Sequence, residues 1–309
     1  MDIWERHFAG DFPFLHPPTF QNILRQAKAV PSIQDFNTPR QDASQSLPPV
    51  EPEFLLAFLA LTSKYQPNLV THHSNRTPNP RAASEYYATA CKNRLALIDS
   101  LSPLGAVPSL ARVQTYLMLT LYEWGNCEGI NAWNHLSQAI REAQSIGLTD
   151  GHVDATASKN SIVRPISSNR LSASQNLEND PIEKETRNRT FWCCFILERF
   201  LSSGEYRPLS LRLHDITVAL PISQPSFLFG KTVRTLLLSE SFEALKYLNG
   251  DAMKTTKESA SATVSKNGDE MNIDVALESG PTEGVLSRFV KATEVFNAVV
   301  HWACAGGRL

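Results

Sequence analysis

Residues 191–197 read Phe-Trp-Cys-Cys-Phe-Ile-Leu, seven apolar residues in a row, and they follow two Glu/Arg pairs, Glu183–Arg187 and Glu185–Arg189. Both pairs have i, i+4 spacing with the glutamate first, the order that supports a helix. The spacing therefore predicts one helix over 182–203 that starts charged and becomes apolar on every side. Such a helix has no solvent face and must be packed by several neighbours. That requirement constrains the rest of the chain, which has to supply the neighbours.

It does so mainly with more helices. In 110–124, Val113, Tyr116, Leu117, Thr120, Leu121 and Trp124 recur at helical spacing, with Pro108 and Ser109 before the stripe and Gly125 after it. In 131–148, Trp133, Leu136, Ile140 and Ala143 form a second stripe, with Asn131 expected as N-cap and Gly147 as the terminating glycine. Together these predict a helical hairpin turning at Gly125–Gly129, with the Trp124–Trp133 hairpin and the Phe191–Leu197 helix packed at the centre of the scaffold. Weaker helical patterns cover 53–65, 84–99, 231–248 (Leu238, Phe242, Leu245, Leu248) and 285–304. Only 206–221, where Leu209, Leu211 and Leu213 alternate with polar residues, looks extended, and one segment cannot make a sheet. The fold class is all-α, a multi-helix scaffold in one unit spanning 1–309.

Two stretches interrupt it. Residues 152–181 and 249–284 are rich in Ser, Asn, Asp and other small polar residues, too poor in apolar groups to offset the entropy of ordering. Both are expected to be mobile insertions, and the Pro-rich 31–52 an irregular crossing.

Of the 309 residues 42% are hydrophobic and 19% charged, and the formal net charge is −2. Neutralising phosphates supplies most nucleic-acid affinity, so a near-neutral chain is not expected to bind DNA unaided. The five cysteines, Cys91, Cys127, Cys193, Cys194 and Cys304, are odd in number and share no repeated spacing, which points to free thiols rather than a disulfide framework. No signal peptide, membrane-length apolar run or Lys/Arg-rich import signal is evident. Neither is a GxSxG elbow, a Walker loop, a GxGxxG or an HExxH, so no catalytic site is expected. His72-His73 reads as an exposed loop pair, and Cys193-Cys194 as small core residues.

Four segments, in order, carry a resemblance. They are WERHFAGDFPFLHPPTF (4–20), FLLAFLALTSKY (54–65), the run 86–150 containing YYATACKNRLALID, VQTYLMLTLYEWG and AWNHLSQAIREAQSIGLTDG, and 183–221 containing EKETRNRTFWCCFILERFLS and DITVALP. The set resembles the regulatory, or middle homology, domain of fungal transcription factors of the xylanolytic-activator type. FNAVVHWACAGGRL near the end is similar to a later helix of that family, after which members continue, so the chain is expected to stop early. Glu198 stands where the family usually has Asp, Ser137 where Gly is common, and Tyr206-Arg207-Pro208 where Gly-Arg-Pro is usual. The resemblance implies a role in regulating RNA polymerase II transcription in the nucleus. Family members read DNA through a binuclear zinc cluster or Cys₂His₂ fingers ahead of this domain. No cysteine precedes Cys91, so that module, its zinc ions and direct DNA contact are expected to lie outside this chain, and no cofactor is expected within it. Expected partners are DNA through that module, the transcription machinery or an effector ligand, and a second copy. The family's pattern concentrates charge at Arg187, Arg189, Arg199 and Arg207, which are the candidate effector or interdomain contacts; structural ion pairs with Glu183, Glu185, Glu198, Glu205 and Asp215 are the alternative role. A helical small-molecule-binding protein or metabolic enzyme is the competing function.

Overall fold

A computed structural model describes residues 2–10, 13–28, 51–74, 77–101, 106–149, 180–203, 207–241 and 276–307. Ten α-helices account for most of them: α1 (Asp2–His7), α2 (Pro17–Lys28), α3 (Pro52–Thr62), α4 (Pro67–His73), α5 (Pro80–Leu101), α6 (Leu110–Gly125), α7 (Gly129–Ser145), α8 (Pro181–Leu201), α9 (Gln224–Leu228) and α10 (Val285–Cys304). The described residues form an all-α scaffold. Five of these helices begin on proline, whose fixed φ suits a first helical turn and whose missing N–H would have no helical acceptor there.

Helix α8 occupies the predicted central place. Every residue from Phe191 to Leu197 is buried, Cys193 and Cys194 included. Trp192 and Phe195 pack edge to face 5.2 Å apart, and the Trp192 indole donates to the Ala219 carbonyl at 2.8 Å. Around it run the α6–α7 hairpin and α10, while α3 packs against both α5 and α6. Trp4, Phe14, Phe20, Phe54 and Phe58 join the N-terminal segment to the same core. Ser109 caps α6 by accepting from the Arg112 amide, and Gly147 follows α7 at φ +71°, a conformation that favours glycine.

Several expectations are corrected. Trp124 is 39% exposed and Trp133 only partly buried; the hairpin's centre is instead Val113–Leu119 against Ala132–Ala143, because α6 is leaving the core by its last turn. Helix α7 starts at Gly129 with Glu128 as N-cap residue, and Asn131 lies inside it, its side chain bonded to Glu128. Residues 231–248 were expected to be helical, but 231–237 are extended, and a helical turn begins only at Leu238; Phe242, Leu245 and Leu248 lie outside the described residues. His72 and His73 end α4 rather than sit in a loop, and His73 Nε2 lies 3.2 Å from the Tyr87 hydroxyl.

Most of the two polar stretches, residues 152–179 and 249–275, and residues 31–50 of the Pro-rich one, lie outside the described residues. The described end of the second stretch is ordered. Leu277–Glu278 pairs in parallel with Arg234–Thr235, and a single 3₁₀ turn covers Gly280–Thr282. The Glu278 carboxylate accepts from the Ser223 amide at 2.7 Å and from the Ser223 and Ser226 hydroxyls at 2.9 and 2.6 Å. Hydrogen bonds hold this piece, which is why apolar content did not reveal it. Gly284 then brings α10 against the 222–223 backbone, where an added Cβ would lie 2.9 Å from the Ser223 Cα.

Candidate functional site: buried arginine nodes

Among the described residues three arginines are buried, and each gathers segments distant in sequence. Arg189 lies one turn beyond Glu185 on α8, with Nε 2.7 Å from Glu185 Oε1. Its Nη1 donates to the Gln224 side chain at 2.6 Å and the Pro13 carbonyl at 3.3 Å, and Nη2 donates to the Ile222 carbonyl at 2.9 Å. The guanidinium carbon stacks 4.0 Å from the Phe227 ring centre. Glu185 also accepts from the Ile222 amide and from Asn188. One fork thus ties the N-terminal segment and the 222–227 turn to α8. Arginine suits this task because its planar donors diverge from a single rigid group. Burial pushes the Glu185 carboxyl up, and the facing Arg189 opposes that shift.

Arg199, the residue after Glu198 on α8, forms the second node. Its Nε donates to Glu294 of α10 at 2.9 Å and its Nη1 to Glu198 at 2.8 Å, with the Phe195 ring 3.9 Å away. Glu198 accepts from the Ser210 and Leu211 amides at 2.6 and 3.0 Å. The Asp-to-Glu departure at 198 thus keeps a carboxylate that holds this loop backbone. A third node joins α5, α6 and α7. Arg112 donates to Glu142 at 3.0 Å, Asp99 at 3.1 Å and the Tyr116 hydroxyl at 3.2 Å. Burial raises the Glu142 carboxyl, again opposed by its arginine.

The four arginines singled out from the sequence therefore do not converge on one site. Arg189 and Arg199 are enclosed, each about 1% exposed. Arg187 donates to the Ile146 carbonyl at 3.2 Å, and Arg207 to the Leu201 carbonyl at 2.9 Å. Glu205 lies outside the described residues, and Asp215 pairs with His214 at 2.9 Å. Sequence reasoning missed the Arg112 node, whose members stand 13 and 30 residues from it, and no local spacing links them. A shallow open groove of about 440 Å³, lined by His73, Glu85, Tyr86 and Asn93 among others, was also unanticipated. Among the described residues no three His, Cys, Asp or Glu side chains converge to hold a metal ion.

The N-terminal segment has a second tie, His16. Nε2 faces the Leu228 carbonyl at 3.3 Å and Nδ1 faces the Thr19 hydroxyl at 2.8 Å. A carbonyl only accepts, so Nε2 carries the proton and Nδ1 accepts. Desolvation lowers the His16 pKa below 6.5 and Arg189 lowers it further, against the Leu228 carbonyl and Asp180, which raise it. The folded state thus favours neutral imidazole; this stability is present above pH 6.5 and is lost as pH falls through the lowered folded value. Glu185 and Glu142, with raised values, act with the opposite sign, so the His16 effect is read as a difference. The thermal midpoint advantage of wild type over His16→Gln is expected to shrink from about pH 8 to about pH 5. An advantage constant across that range would show that His16 does not titrate in this way.

The family model described as "Fungal specific transcription factor domain" matches residues 2–265. The chain belongs to that family. The proteins it is similar to include an uncharacterized transcriptional regulatory protein of Schizosaccharomyces pombe, 31% identical over 65% of this chain and 26% of its own length. A Zn(2)-C6 fungal-type transcription factor of Fusarium oxysporum f. sp. lycopersici is 34% identical over 42% of this chain and 13% of its own length. A second transcriptional regulatory protein of S. pombe is 32% identical over 52% and 14%. The chain thus spans about a quarter, or less, of the relatives it matches. No solved structure matches it. Within this fungal specific transcription factor domain, the matched range holds all three arginine nodes except Glu294, and α10 lies beyond it. The family and these relatives are transcription regulators. Among the described residues no helix is long and apolar enough to cross a membrane.

Proposed function

We propose that this regulatory domain biases transcription by RNA polymerase II in the nucleus at promoters to which a separate zinc-containing module brings it. The similarity across residues 2–265 carries this reading, together with relatives whose names specify Zn(2)-C6 factors. The net charge of −2 fits a domain that leaves phosphate contacts to another part of the protein. The domain's own part is mechanical. Arg189 and Arg199 join α8 to the N-terminal segment and to α10, so a contact at either end reaches the same buried helix. Arg187, in the second turn of α8, and Arg207, in the segment after it, are half-buried and donate to the Ile146 and Leu201 carbonyls, and they are the side chains we assign to effector or interdomain contact. The test is a reporter driven by the chain fused to a heterologous DNA-binding module. Output is expected to differ from that of the module alone, in either direction; identical output would count against the reading.

A further inference from the structure

Each buried arginine of the scaffold is held between a carboxylate and an aromatic ring. Arg189 pairs with Glu185 and stacks 4.0 Å from the Phe227 ring centre. Arg199 pairs with Glu198 and lies 3.9 Å from the Phe195 ring, and Arg112 pairs with Glu142 and lies 5.5 Å from the Tyr116 ring. The groove on α5 presents the same two groups on the surface without an arginine. Glu85 and Tyr86 both line it and both are exposed, Tyr86 by 57%. The His73 ring of α4 packs 4.4 Å from the Tyr86 ring at 30°, which steadies the phenol and still leaves more than half of it open. Glu85 makes no ion pair among the described residues. Arg81, one turn earlier on α5, stands in the weaker Arg-first order and does not line the groove. Ala82, Glu85, Tyr86, Thr89, Ala90 and Asn93 make the lining one stripe of that helix, about 16 Å long at the helical rise. Among the described lining residues Glu85 is the only acid, and there is no Lys or Arg.

We propose that this groove binds a short extended peptide segment of another protein through an arginine, whose guanidinium stacks on Tyr86 and pairs with the Glu85 carboxylate. Arginine suits the site better than lysine. Its planar fork meets a carboxylate through two N–H groups while its face lies on a ring, the arrangement the scaffold already uses inside. Thr89 and Asn93, exposed one and two turns further along the stripe, offer a hydroxyl and an amide to the peptide backbone. Shape selects a peptide over a compact ligand. A small-molecule site encloses most of its ligand, whereas this groove is open along its length. About five residues in extended form span the same 16 Å. The contact is a weak one, since an exposed ion pair and an exposed cation on a ring each contribute about 1 kcal/mol or less. It does not depend on the proposed role in transcription, and either can fail alone.

Titration of the isotope-labelled chain with a short blocked peptide carrying one arginine among alanines, followed by backbone amide shifts, tests this. Saturable shifts centred on Tyr86 and Asn93 are expected, with Kd of about 1 mM or tighter. The same peptide with citrulline, which keeps the shape of arginine and loses its charge, is expected to bind about tenfold more weakly. A single blocked arginine is expected to bind at least about threefold more weakly than the peptide, having no backbone to either side. Glu85→Gln and Tyr86→Ala, both at exposed positions, are expected to keep the wild-type circular dichroism and each to weaken the arginine peptide by about threefold or more. Failure of the arginine peptide to saturate wild type by about 5 mM would overturn the proposal without reference to any variant. Equal affinity for the citrulline peptide, equal affinity for the single arginine, or wild-type affinity in a folded Glu85→Gln chain would overturn it as well.

Discussion

Replacing Arg189 with methionine is expected to lower the stability of the fold by about 3–5 kcal/mol, because it leaves Glu185 buried without its cation. That loss rivals the whole stability of many domains. The Arg189 side chain is 1% exposed and Glu185 5%, so solvent cannot take over the lost contacts. The Gln224 side chain and the Pro13 and Ile222 carbonyls lose their donors in the same step. Urea unfolding monitored by circular dichroism reads the effect, with Arg189→Met/Glu185→Leu as the decisive comparison. Removing both charges should recover a large part of the loss, since most of the penalty lies in the orphaned carboxylate. A single variant within about 1 kcal/mol of wild type would show that this node does not hold the N-terminal segment.

Trp192→Ala is the second large effect, also about 3–5 kcal/mol. The indole is fully buried and packs edge to face with Phe191 and Phe195 at 5.1 and 5.2 Å. Its truncation opens a cavity at the centre of α8 and leaves the Ala219 carbonyl without its donor. Trp192→Phe refills much of the volume but cannot donate, so it isolates the hydrogen bond, worth about 1–3 kcal/mol when a buried acceptor is orphaned. Unfolding by urea again reads both variants. Equal losses for alanine and phenylalanine would mean that the bond to Ala219, and not packing, dominates at this position.

The central helix was legible because its signal is local: seven consecutive apolar residues after two Glu/Arg pairs leave little else for 182–203 to be. The α6–α7 hairpin was legible for the same reason, since its stripes, the Ser109 cap and Gly147 all lie within a few residues of what they specify. The candidate site was less so. Glu185–Arg189 could be read from i, i+4 spacing, but its partners Pro13, Ile222 and Gln224 come from both sides of α8 in the sequence, and only folding gathers them. Arg112 with Asp99 and Glu142 has the same character. Residues 276–284 and 231–237 were misread because they are held by Glu278 and by short backbone pairing, which leave no hydrophobic period. Trp124 was misplaced because helical period gives the face of a helix and not the turn at which that helix leaves the core.

The chain belongs to a family of transcription regulators, and its proposed role is to bias transcription while a separate module contacts DNA. The most direct measurement is reporter transcription from a promoter bearing sites for a heterologous DNA-binding module, with that module alone, fused to wild type, and fused to Arg189→Met, at matched protein levels. The wild-type fusion is predicted to shift transcription away from the level of the module alone, and Arg189→Met to return it towards that level. A wild-type fusion indistinguishable from the bare module would contradict the account.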